Sequence, residues 1–171
     1  LTTLFERTFG SGHLTDAVMA QSESQEHNLW ALRDQMIPMQ YFPGPVAKWD
    51  VSVPINKIAT FLYRAESIAN KHDPNAVSYA VGHVGDGNIH YNLTQPADMA
   101  AEEFMARYAE FNRIVHDLVV DMNGSISAEH GIGSFKRDEL AHYASPTKIS
   151  LMKTIKQALD PDNIMNPGKI I

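Results

Sequence analysis

Residues 76–93 read AVSYAVGHVGDGNIHYNL, and the way this stretch folds back on itself decides the architecture around it. "AVSYAVGHV" is rich in β-branched and aromatic residues, "IHYNL" alternates apolar with polar, and Asp86-Gly87 between them is a turn dipeptide. Together they predict a β-hairpin over residues 76–94.

Working outward toward the N-terminus, Trp49, Val51 and Val53 alternate with Lys48, Asp50 and Ser52, the period of a half-buried strand beginning near Val46. Pro54 then suits the first position of a helix whose apolar face is Ile58, Leu62, Ala65 and Ala69, closed near Asp73-Pro74. On the other side, Asp98 caps a long helix with Phe104, Tyr108, Phe111, Val115, Leu118 and Met122 in one stripe, and Asn123-Gly124 stops it. "SISA", residues 125–128, supplies a further strand. The order β-α-β-β-α-β from Val46 to Ala128 predicts an α+β, ferredoxin-like sandwich, an antiparallel sheet with its helices on one face.

Additional elements flank this core. Thr2–Phe9 reads as a short helix stopped by Gly10 and Gly12, and Asp16–Gln21 as a short strand. Ser22 and Gln25 fit a capping box ahead of a helix carrying Leu29, Leu32 and Met36, which Pro38 ends. Two shorter helices, Phe135–Tyr143 and Pro146–Leu159, lead to the tail IMNPGKII.

The 171 residues suffice for one domain, 1–171, burying roughly two-thirds of the unfolded chain's surface. With 44% hydrophobic and 20% charged residues the composition is that of an ordinary globular protein, without an apolar run long enough to cross a bilayer. A net charge of −6 and no Lys/Arg cluster argue against nucleic acid as a partner. The lack of cysteine excludes disulfides and thiolate metal sites and fits a reducing compartment, so any metal must use His, Asp or Glu. Leu1-Thr2-Thr3 shows neither an initiator Met nor a cationic-then-apolar leader. That predicts a piece of a longer protein, cytoplasmic or peripheral to a membrane, and mitochondrial in a eukaryote.

Alternation also assigns faces. With Ile89, Tyr91 and Leu93 toward the helices, Asn88, His90 and Asn92 turn to the open face, joined there by Lys48, Asp50, Ser127 and Glu129. Val77, Tyr79 and Val81 are expected on the helix side, so His83 reaches the open face only through a bulge at Gly82. An open face of mixed polarity also predicts self-association into a homo-oligomer. His83 and His90 suit ligation of a zinc-like ion across the hairpin, and equally suit two hydrogen-bonded histidines beside a turn. Glu129-His130 offers a third ligand and an adjacent base, or a solvated acid and base at a strand end. Arg33 and Lys48 suit carboxylate recognition if they share a cavity, and solvated charge otherwise.

In order along the chain, GHVGDGNIHYNL, SISAEHGIGSFKRDEL and LDPDNIMNPGKII resemble the C-terminal domain of the FAD-linked oxidases, as do LWALRDQM and KWDVSVP. This group is related to vanillyl-alcohol oxidase and includes enzymes that oxidise D-lactate, glycolate and D-2-hydroxyglutarate. The resemblance covers nearly all of residues 1–171. It implies a flavin enzyme oxidising a 2-hydroxy acid, with a divalent metal, zinc-like in the hydroxyglutarate branch, held by His83, His90 and Glu129. His130 would be the base, Asn92, Arg33 and Lys48 would bind substrate, and Asn166 would lie close to the flavin ring. The FAD-binding domain normally precedes this one, so the chain is expected to need that partner to bind FAD, and by itself to be inactive. Ile37 stands where the hydroxyglutarate branch has a threonine for the distal carboxylate, which favours a lactate-like acid at least as well.

Two other classes use the same residues. A metal-dependent hydrolase would hold zinc and an activated water on His83, His90 and Glu129, with His130 as acid or base. A non-catalytic binding or assembly module would keep the hairpin for structure alone.

Overall fold

The computed structural model describes residues 2–39 and 44–171, with the side chains of 36–39 outside the described set. The chain divides into two compact units, Leu1–Phe42 and Pro43–Ile171. In the first, helix α1 spans Thr2–Gly10 and α2 spans Glu23–Met39. The expected strand over Asp16–Gln21 does not form. A strand needs a neighbouring ladder for its amides, and among the described residues nothing pairs with this segment, which leaves Val18 75% exposed. The amide of Gln25 donates to Ser22 Oγ at 3.3 Å, while Gln25 Oε1 reaches back one residue further than a capping box requires, to the amide of Gln21 at 2.7 Å. The helix also carries Pro38 in its last turn instead of ending before it.

The second unit is built on three antiparallel strands, β1 (Val46–Ser52), β2 (Ser78–Val81) and β3 (Asn88–Thr94), with β3 in the centre. Helix α3 (Ile58–His72) follows Pro54 through one 3-10 turn. Helices α4 (Ala101–Ala106) and α5 (Tyr108–Asp121) replace the single long helix expected over 98–122. The pause falls at Arg107, whose guanidinium donates to His72 O at 3.0 Å and pairs with Asp73 at 3.5 Å. α6 (Arg137–Tyr143) and α7 (Pro146–Leu159) complete the α+β unit, and Ser145 Oγ caps α7 by accepting the Lys148 amide at 3.2 Å.

Val51, Phe61, Leu93 and Val119 are fully buried between sheet and helices. Trp49 sits at the centre of the core. It stacks on Tyr108 with centroids 5.6 Å apart, lies 5.8 Å from Tyr91, and its indole N–H donates to Asn112 Oδ1 at 3.0 Å. Each such large side chain contributes about 1.5–3 kcal/mol by burial.

Two expectations about the sheet need correction. "SISA" is not a strand: Ser52 and Ser125 exchange one pair of backbone hydrogen bonds, an isolated bridge. The Asp50 carboxylate takes the amides of Ala128, Glu129 and His130, so the ladder cannot continue. The second correction concerns β2. Its register pairs Tyr79 with Asn92 and Val81 with His90, while Ser78 and Ala80 oppose Leu93 and Tyr91. Opposed residues share a face, so Tyr79 and Val81 stand on the side of His90, away from the helices. His83 follows Val81 by two and reaches that side without a bulge.

Candidate metal and substrate site

Pairing of β1 with β3 sets Asp50 opposite His90 and Lys48 opposite Asn92, four polar side chains on one face of adjacent strands. The hairpin brings His83 back beside them. Gly82 is required there because a Cβ would lie 2.3 Å from Asn88 O, and Gly87 closes the turn at φ 82°. From the other side, the segment after Ser125 crosses this face and delivers Glu129 and His130.

The Glu129 carboxylate lies between two imidazoles. Oε1 is 3.0 Å from His83 Nδ1, and Oε2 is 3.1 Å from His90 Nε2. The His130 ring stacks on His90 with centroids 5.4 Å apart, and it is 68% exposed. Ligand atoms of Asp50, His90, Glu129 and His130 all lie within 4.8 Å of one another, and His83 joins that group through Glu129. Two donors bound to one ion at ~2.0–2.1 Å and ~90–110° stand about 2.8–3.4 Å apart. The His83–Glu129 and His90–Glu129 separations match that spacing, and imidazole with carboxylate is a donor set that zinc accepts, so the residues present fit a divalent ion.

Asp50 is the residue that sequence reading placed on this face without giving it a role. It is 4% exposed. Burial pushes its carboxyl up, but amide hydrogen bonds from His130 and Glu129 and the positive charges of His130 and Lys136 outweigh that, leaving it below the ordinary carboxylate value. Lys136 is itself pulled below the ordinary lysine value by burial, against the attraction of Asp50. The signal that could have found Asp50 is an acid between Trp49 and Val51 on a core strand, where a charge persists only if hydrogen-bonded.

The expected openness of this face therefore holds only in part, since Asp50, Asn88 and Asn92 are all buried. Asn92 donates from Nδ2 to His90 O at 2.9 Å. Lys48 is half-buried beside it. Arg33 lies in the first unit, 56% exposed and paired with its neighbour Asp34 at 3.1 Å. The Ile37 side chain lies outside the described residues. Asn166 is exposed, in a turn at φ 48°. Its segment is tied to the loop after His130, for Ile170 N donates to Gly133 O at 2.7 Å and Arg137 donates to Gly168 O at 3.3 Å. Gly131, Gly133 and Gly168 face open space, so a flat ligand could approach the backbone there.

The family model of the FAD linked oxidases, C-terminal domain, matches residues 1–170. A D-2-hydroxyglutarate dehydrogenase of Stutzerimonas stutzeri is 42% identical over 97% of the chain and 36% of its own length. The mitochondrial D-2-hydroxyglutarate dehydrogenase of Rattus norvegicus is 32% identical over 100% of the chain and 31% of its length. A D-lactate dehydrogenase of Anaerostipes hadrus is 36% identical over 91% of the chain and 32% of its length. The chain thus spans about a third of these relatives. Among the described residues no helix is long and apolar enough to cross a membrane. With the family model matched almost end to end, the chain belongs to the C-terminal domain family of the FAD-linked oxidases.

Proposed function

We propose that the chain forms the substrate- and metal-binding part of a flavin-dependent dehydrogenase that oxidises a D-2-hydroxy acid. The observation that carries this reading is the Glu129 carboxylate set between His83 and His90 at 3.0 and 3.1 Å, in a chain of the FAD-linked oxidase family. His83, His90 and Glu129 would hold a divalent ion, with zinc favoured by two imidazoles and one carboxylate. When bound, the ion supplies Lewis acidity toward the substrate's 2-hydroxyl, and FAD, bound mainly by a separate domain of the same protein, supplies the hydride acceptor.

His130 acts as the base. Its ring is 68% exposed, and a ring nitrogen would accept the hydroxyl proton. The imidazolium so formed is stabilised by Asp50, whose Oδ2 lies 3.9 Å from His130 Nδ1. Lys48 and Asn92 share the face of His90 and would bind the carboxylate end. Asn166, on the tail that runs beside Gly133, would lie close to the flavin ring when FAD is bound. A 2-hydroxy acid is the chemistry common to the relatives named for D-2-hydroxyglutarate and for D-lactate.

Elemental analysis of the purified protein tests the metal part. About one zinc per chain is expected, lost in His83→Ala and in Glu129→Ala. A wild-type protein that takes up no divalent ion from zinc-containing buffer would sink the reading. In the full-length protein, oxidation of D-lactate or D-2-hydroxyglutarate should stop on chelation and return with added zinc.

A further inference from the structure

The four residues of the proposed site arrive from two separate segments, the hairpin and the loop after Ser125. One buried pair of side chains connects them. Asp50 Oδ2 accepts the consecutive amides of Ala128, Glu129 and His130 at 3.1, 2.9 and 2.8 Å. Asp50 Oδ1 accepts from Asn88 Nδ2 at 3.2 Å, and Asn88 Oδ1 in turn accepts the amide of His83 at 3.4 Å. Lys136 closes the loop from its far end, donating to Ile126 O at 2.8 Å and to Asp50 O at 3.4 Å. His90, opposite Asp50 in the sheet, turns Nδ1 toward Asp50 Oδ1 at 3.6 Å, which leaves Nε2 facing Glu129.

We propose that Asp50 is a positioning residue, acting with Asn88 as a clasp that holds Glu129 and His130 in register with His83 and His90. The proposal deepens the reading of that site as the metal and substrate site and rests on it. Asp50 is assigned positioning rather than ligation because its Oδ2 is taken up by three backbone amides and its Oδ1 already accepts from Asn88. A buried partner that fixes ring and carboxylate orientation typically changes metal affinity by about 10–100-fold when removed.

The clasp requires an all-acceptor group at Asp50. In Asp50→Asn, the new amide can turn its oxygen to the three backbone N–H groups only by aiming its NH2 at the NH2 of Asn88. If Asn88 then flips, its NH2 meets the His83 amide, again donor against donor. The exchanged pair D50N/N88D removes the conflict, because the Asn oxygen faces the three amides, its NH2 faces the new carboxylate, and the second carboxylate oxygen accepts from His83.

Amide hydrogen exchange and competition for zinc against a chelator, measured on the full chain, test this. In D50N, protection at Ala128, Glu129 and His130 should fall by about tenfold or more, with protection in Asn88–Thr94 retained. Zinc affinity should fall about 10–100-fold, and D50N/N88D should recover most of both losses. Unchanged protection and affinity in D50N would overturn the proposal. So would an equal loss across all amides, which marks a merely structural role, or a double variant no better than the single one. Should wild-type protein bind no zinc, the proposed metal function fails, and the clasp is then judged by the exchange pattern alone.

Discussion

In the proposed reaction the chemistry turns on His130, and its setting separates it from its neighbours. Glu129 and His130 are consecutive, yet the first is fixed between two imidazoles and the second lies over His90 with its ring exposed. A base must reach substrate, and of these residues His130 is the most exposed. His130→Gln keeps a polar side chain but removes the proton acceptor. Its turnover of hydroxy acid in the full-length protein should fall about 10²–10⁴-fold, with zinc content unchanged, as steady-state kinetics and elemental analysis of one sample would show. A fall in zinc content to match would make His130 a ligand instead. The meeting of His83, His90 and Glu129 was legible because these residues sit inside long motifs. Asp50 was not, because its partners are backbone amides of residues about 80 positions away, as in His130 N to Asp50 at 2.8 Å, and backbone groups leave no trace in residue identity.

At the level of elements, helices were read more accurately than strands. α7 begins and ends where Ser145-Pro146 and Asp160-Pro161 place it, since caps and prolines act within a few residues. Strand faces depend on pairing, which is not local. In and just before β2 the apolar residues Val77, Tyr79 and Val81 suggest a helix-facing side, but the hairpin register turns Tyr79 and Val81 the other way, and Val77 is 62% exposed. The small Ser78 and Ala80 take the helix side on this edge strand. The lost fourth strand has a comparable cause: beyond the bridge at Ser125, the Ser127 amide turns back to Ser125 Oγ and the Ala128 amide goes to the Asp50 carboxylate.

The surviving bridge at Ser125 depends on Gly124, where a Cβ would lie 2.2 Å from Ser52 O and 2.8 Å from Val119 Cγ1. Gly124→Ala should therefore cost about 1–3 kcal/mol through overpacking, read as a lower urea midpoint with an unchanged slope. The same variant should also speed amide exchange at Ala128 to His130, since the bridge holds the start of the site loop. A midpoint equal to wild type would show that β1 and the end of α5 shift apart without strain.

Across the molecule, the site loop is anchored to the core at its far end by a second buried cluster. His116 on α5 is fully buried, and its Nδ1 lies 2.7 Å from Glu139 Oε2 on α6, while Arg113 pairs with Glu139 at 2.8 Å. Among the described residues His116 Nε2 has no partner, which suits a neutral ring with its proton on Nδ1 and makes a charged ring costly. Burial pushes the His116 pKa down, and although Glu139 opposes that, the net position is below the ordinary value of 6.5. Because the folded-state value is depressed, stability is complete above 6.5, where neither state is protonated. It declines as pH falls, since the unfolded chain takes up a proton that the folded chain refuses, until pH passes below the folded value. Within that window the slope approaches about 1.4 kcal/mol per pH unit. Urea unfolding at pH 7 and pH 5.5 should show the loss in wild type and a smaller one in His116→Gln, whose side chain carries no titrating group. Because α6 begins directly after Lys136, amide exchange at residues 128–130 should quicken over the same interval before the sheet does. Equal pH dependence in the two proteins would place the acid sensitivity elsewhere than this cluster.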